Sequence, residues 1–122
     1  MKLLISIFTV LFAVILLSGY SFAQDAEKVD PKHYKVEFEN DQVKVLRITY
    51  GPNEKSKMHS HAKGVVVFLS DGKGKFIFPD GKTQEMDFES GKVVWTDETT
   101  HPPENIGDEP FEVIQIEMKN KK

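Results

Sequence analysis

Residues 58–69 read MHSHAKGVVVFL, which sets His59 and His61 two positions apart and follows them with a run of β-branched and aromatic residues. In an extended chain, side chains at i and i+2 leave the same face about 6.6 Å apart. Two imidazoles so placed can hold one cation if a third donor comes from elsewhere. His101, in THPPEN, is the candidate third donor. If the strand runs unbroken, its parity carries Lys63, Val65, Val67 and Leu69 onto the histidine face, which is then the interior. The bland alternative is that these histidines only hydrogen-bond at the wet mouth of a β-structure, because an H-x-H alone is a weak metal signal.

Outward from this stretch, short β-rich runs recur between turn residues. His33–Glu39 is closed by Asn40-Asp41, and Gln42–Tyr50 is stopped by Gly51-Pro52. Lys57–His61 and Gly64–Ser70 form a central pair or one bent strand. Asp71-Gly72-Lys73-Gly74 reads as a turn, and Lys75–Phe78 and Thr83–Phe88 flank Pro79-Asp80-Gly81 as a hairpin. Gly91 leads into Lys92–Thr96, and Phe111–Met118 supplies a last strand. Nothing after the N-terminal apolar run carries a 3.6-residue stripe. The pattern is that of an all-β sandwich or barrel.

The N-terminus has a different job. Met1-Lys2, the apolar Leu3–Leu17 and the small residues Ser21 and Ala23 describe a secretory signal peptide spanning 1–23, cleaved after Ala23. The apolar run is shorter than the ~20 residues that span a bilayer. The expected product is secreted or periplasmic, with no membrane attachment. Residues 24–32 read as a flexible lead-in, 33–119 as the domain and 120–122 as a frayed tail. Cleavage leaves 99 of the 122 residues and removes one lysine and no acid, so the net charge moves from −3 to −4. That balance offers no basic patch for nucleic acid. The absence of cysteine removes disulfides, thiolate ligands and a cysteine nucleophile together.

At this point the chain resembles the cupin superfamily. The first cupin motif runs Gly, about five residues, His-x-His, three or four residues, Glu, six residues, Gly. Here His59-Ser60-His61 fits, the glutamate position after three residues holds Val65, and Gly72 follows. Gly51 stands two residues too far upstream. In the second motif Gly91 fits, Asp97 and Thr99 replace Pro and Gly, and His101-Pro102-Pro103-Glu104-Asn105 restores the His-x3-Asn spacing. The resemblance covers residues 33–118 and implies an all-β, double-stranded β-helix or jelly-roll barrel. It also implies a metal held by His59, His61 and His101, without the usual glutamate. Three imidazoles with open positions suit Fe, Zn, Cu, Ni or Mn and do not choose among them. Imidazoles must be neutral to coordinate, so release of the metal on acidification through about pH 6 is expected.

Other residues are candidates for the surroundings. Trp95 walls the pocket or fills the core. Glu104 and Asn105 are candidate outer partners of the site, although strict alternation turns Glu104 away from His101. Arg47, the only arginine, would hold a substrate carboxylate if it faced inward. Met58, Met86 and Met118 read as packing residues, and His33 as a histidine without a nearby partner. No catalytic residue is identifiable. The readings that remain are a metal-dependent dioxygenase or other oxidoreductase acting on a small molecule, a non-catalytic secreted binder of a metal or small ligand, and a scaffold without chemistry. A homodimer is compatible with each.

Overall fold

The β-branched run Val43–Tyr50 alternates buried and less buried residues along its whole length, and the chain is built around such strands. The computed structural model describes residues 24–120. The expected signal peptide, 1–23, and the last two residues lie outside the described residues. Among the described residues no helix is long and apolar enough to cross a membrane.

One helical turn, α1 (Ala26–Val29), precedes ten strands: β1 (Tyr34–Glu39), β2 (Val43–Tyr50), β3 (His59–His61), β4 (Gly64–Phe68), β5 (Gly72–Ile77), β6 (Thr83–Phe88), β7 (Val93–Thr96), β8 (Thr99–His101), β9 (Pro103–Asn105) and β10 (Phe111–Met118). They form a five-stranded sheet in the order β1-β2-β10-β4-β7, a three-stranded sheet β6-β5-β9, and a two-stranded ribbon β3-β8. All strand pairs are antiparallel. The core between the sheets holds Leu46, Ile48 and Tyr50 from β2, Val66 and Phe68 from β4, Phe88 from β6, and Phe111 and Val113 from β10. Each such side chain contributes about 1.5–3 kcal/mol when fully buried. Phe88 joins the sheets, stacking on Phe68 at 4.7 Å and meeting Phe111 edge-on at 5.0 Å.

The structure departs from the sequence reading in four places. Gly72 and Gly74 lie inside β5 rather than in a turn. A Cβ at Gly74 would sit 2.5 Å from Phe88 Cζ, and one at Gly72 would sit 2.8 Å from Phe111 Cβ. These glycines are strand residues because aromatic side chains occupy their inner face. The second departure is Thr99–Asn105, which forms strands β8 and β9 despite two prolines. β9 pairs only with β5 within its sheet, and such an edge tolerates proline.

The third departure is the lead-in, which docks instead of trailing. Ala26 is buried, and the Gln24 carbonyl accepts the Ser60 N–H at 2.9 Å. The fourth concerns parity after the histidines. Gly64, Val66 and Phe68 are buried while Val65 and Val67 are not, because the chain leaves the ribbon for the five-stranded sheet at Ala62-Lys63.

Candidate metal centre

The H-x-H histidines sit on a ribbon of two three-residue strands. Antiparallel pairing sets His59 opposite His101, Ser60 opposite Thr100 and His61 opposite Thr99. On the other face of the ribbon the Ser60 and Thr100 hydroxyls hydrogen-bond at 2.7 Å, which fixes this register. The consequence is a cluster in which one ring nitrogen from each of His59, His61 and His101 lies within 4.8 Å of the others. Ring centroids are 4.8 Å apart for His59–His61 and 5.3 Å for each pair with His101, with the planes strongly tilted.

Hydrogen bonds decide which nitrogens are free. His59 Nδ1 lies 2.8 Å from the Lys57 carbonyl, which can only accept, so Nδ1 carries the proton and Nε2 the lone pair. That Nε2 is buried and has no hydrogen-bond partner. An orphaned lone pair aimed into a cluster of imidazoles fits a cation as its partner. His61 Nδ1 lies 2.7 Å from a Glu117 carboxylate oxygen, which fixes this ring the same way and leaves its Nε2 free.

Electrostatics favour the neutral forms of His59 and His101. Burial, followed by the charge His61 would carry, pushes His59 down to about 4, against the opposing pull of the Lys57 carbonyl. Burial, then His61 and His59, push His101 down to about 3. Protons therefore compete for these two nitrogens at lower pH than for ordinary histidine.

Behind His61 lies a buried charged group that the sequence reading missed. Glu117 also faces Lys44 Nζ at 3.5 Å, and Lys44 meets Glu27 at 2.6 Å and Asp25 at 3.6 Å. Burial alone pulls the Lys44 ammonium down. The hydrogen bond that Lys44 donates to Glu27 and the charges of Glu117, Glu27 and Asp25 outweigh it, and the net direction is up. Lys44 stays charged and holds Glu117 against the imidazole. The docked α1 segment supplies two members of this group. The signal was the alternation in FEVIQIEM, whose buried positions Phe111, Val113, Gln115 and Glu117 end in two polar residues.

The other sequence candidates scatter. Trp95 is 56% exposed, with its indole N–H donating to Asp97, so it neither walls the pocket nor fills the core. Val65 stands opposite Trp95 on the outer face, and its neighbour Val66 lines the cavity. The inward position beside Val65, five residues after His61, is thus Val66, and it too holds an aliphatic side chain. Asn105 is fully buried but serves a turn: its amide donates to the Tyr50 and Glu109 carbonyls, and its oxygen accepts the Gly107 N–H. Glu104 pairs opposite Lys75 in β5 and is not part of the cluster. Arg47 faces outward between Glu37 and Glu112. His33 has partners after all, and close ones. Its Nδ1 meets Asp30 at 2.5 Å, its Nε2 meets Glu54 at 2.7 Å, and its ring stacks on Tyr50 at 4.2 Å.

His61 and His101 open onto a cavity of about 470 Å³ between the sheets. Aromatic side chains dominate its wall, among them Phe68, Phe76, Phe88 and Phe111. A buried pair of tyrosines closes one side, with Tyr34 and Tyr50 hydroxyls 2.6 Å apart and the Tyr34 ring 4.7 Å from that of His59.

This architecture is shared with solved cupin structures. A cupin domain from Bordetella pertussis Tohama I is 26% identical, with 71% of this chain and 92% of that chain covered at a TM-score of 0.66. A cupin superfamily protein from Desulfitobacterium hafniense DCB-2 is 15% identical over 71% of this chain and 76% of that one, with a TM-score of 0.53. Oxalate decarboxylase of Bacillus subtilis, a protein with Mn(II) centres, is 20% identical, with 81% of this chain and 29% of that chain covered at a TM-score of 0.54. No family model and no curated protein matches the chain.

Proposed function

We propose that this cupin-fold chain binds one divalent metal ion through His59, His61 and His101 and uses it on a small molecule held in the adjoining cavity. The observation that carries this reading is the buried, partnerless Nε2 of His59 beside two further imidazole nitrogens. Nε2 of His61 and a ring nitrogen of His101 would complete a neutral three-nitrogen set. A cation held there would keep its full charge and, with three protein ligands, would leave room for O2 or a substrate oxygen, the chemistry that a dioxygenase needs.

The chain's own residues do the rest. Glu117 keeps the His61 proton on Nδ1, the Lys57 carbonyl does the same for His59, and the aromatic wall excludes water from the reacting end of a bound molecule.

A second reading, a binder without turnover, is favoured by one observation. The inward Val66 stands where a carboxylate ligand or base would otherwise project, and the carboxylates on the cavity wall are the exposed Asp97 and Glu98.

Metal analysis of protein purified without a histidine tag or chelator, repeated on His61→Ala, tests the site. One ion per chain in the parent and none in the variant is expected. No ion in the parent under metal-replete conditions overturns both readings. Oxygen consumption by the iron-loaded protein over thiols, diketones and flavonols then separates the enzyme from the binder.

A further inference from the structure

Resting on that metal-site reading, we propose that the cavity selects an uncharged aromatic small molecule that reaches the histidine cluster through one oxygen donor, and discriminates against dicarboxylates too long to chelate one ion. The space of about 470 Å³ is in the range of ordinary small-ligand sites. Its wall offers ring faces on the way to the cluster: Phe68 and Phe88 stack at 4.7 Å, and the Phe76 ring lies 5.2 Å from that of His101 at a 32° tilt. Offset and tilted faces of this kind receive another aromatic ring well.

Charge points the same way. Among the described residues no lysine or arginine lines the cavity, and the acidic side chains on its wall are Asp97 and Glu98, both exposed in the turn between β7 and β8. The basic groups that could have served are committed elsewhere, Arg47 to Glu37 and Glu112 on the outer wall, and Lys44 to Glu27 and Glu117 beneath the cluster. A dicarboxylate with its two ends too far apart to chelate one ion, such as glutarate, could give one end to a metal, but its other end would stand against phenyl rings without a counter-charge. An uncharged ring loses little water on entry, and its hydroxyl or carbonyl can reach the cluster. Gln84 and Gln115 on the wall offer it neutral hydrogen-bonding groups.

The test compares 2-naphthol with glutarate by equilibrium titration of the zinc-loaded protein, with the zinc-free protein in parallel. Binding of 2-naphthol at least tenfold tighter than glutarate is expected, weakened severalfold by Phe76→Ala and less by Phe76→Leu, which guards against loss of fold. The pair Asp97→Lys and Glu98→Lys should shift the ratio toward glutarate at least threefold. Glutarate binding as tightly as 2-naphthol, or 2-naphthol failing to bind either form, overturns the proposal. Failure of the metal site reads out separately, because zinc would then not load while 2-naphthol still entered the zinc-free cavity.

Discussion

His33 and the three clustered histidines are all largely withdrawn from water, yet they are handled in opposite ways. His33 has a carboxylate on each ring nitrogen and a tyrosine ring stacked beneath it, so nothing of it is left to bind a ligand. His59 and His61 each spend only Nδ1 on the protein and turn Nε2 toward one another and His101. The lesson is that burial does not distinguish a strut from a ligand. The accounting of the second nitrogen does.

The sharpest way to break this contrast is to remove one histidine from each setting. His61→Ala should weaken metal binding by well over the ~100-fold that loss of an outer partner brings, while leaving the chain folded. His33→Ala should leave metal stoichiometry at one per chain but cost about 2–4 kcal/mol in chemical denaturation, because Asp30 loses its partner. Equal effects of the two substitutions on metal content would erase the distinction. Next in size, Glu117→Gln keeps the position but removes the charge that fixes His61. A fall of ~10–100-fold in zinc affinity by chelator competition is expected, with little loss in His33-dependent stability.

Acid provides a third comparison. His59 and His101 titrate near 4 and 3 when folded and near the ordinary 6.5 when unfolded. As pH falls below about 6.5, the unfolded metal-free chain takes up protons that the folded one refuses. Metal-free stability should therefore decline from about pH 6.5 toward 3 and be insensitive to these groups above 7. Bound zinc should resist the decline. A metal-free midpoint unchanged between pH 7 and 4 would contradict the buried, neutral His59 and His101. The smallest effect belongs to Trp95→Ala. With the indole on the outside, metal affinity should not change and stability should shift by less than about 1 kcal/mol.

Much of this was legible beforehand. Period-two alternation and the Pro79-Asp80-Gly81 turn gave most of the strands, whereas Asp71-Gly72 marked no turn, and the cupin resemblance implied the grouping of His59, His61 and His101. What stayed hidden required knowing where one sheet ends. The parity of His59 and His61 does not continue into Val65, because Ala62-Lys63 carries the chain from the ribbon to the main sheet. The Glu117–Lys44 pair was hidden for another reason. Each is a charged residue at an inward position, a placement that makes sense only once the partner across the barrel and the Glu27 of α1 are known. Asn105 and Trp95 were placed by motif and by bulk, and tertiary hydrogen bonding and exposure sent both elsewhere.

The pairing of His59 with His101 across the ribbon has a consequence for how such a centre is gained or lost. Because neighbouring strand residues point to opposite sides, a slip of β8 by one residue against β3 would bring the Thr100 hydroxyl to the place of the third imidazole. The main sheet would survive that slip and the three-histidine cluster would not. The cluster is a property of alignment, as erasable by a change of register as by replacing one of its histidines.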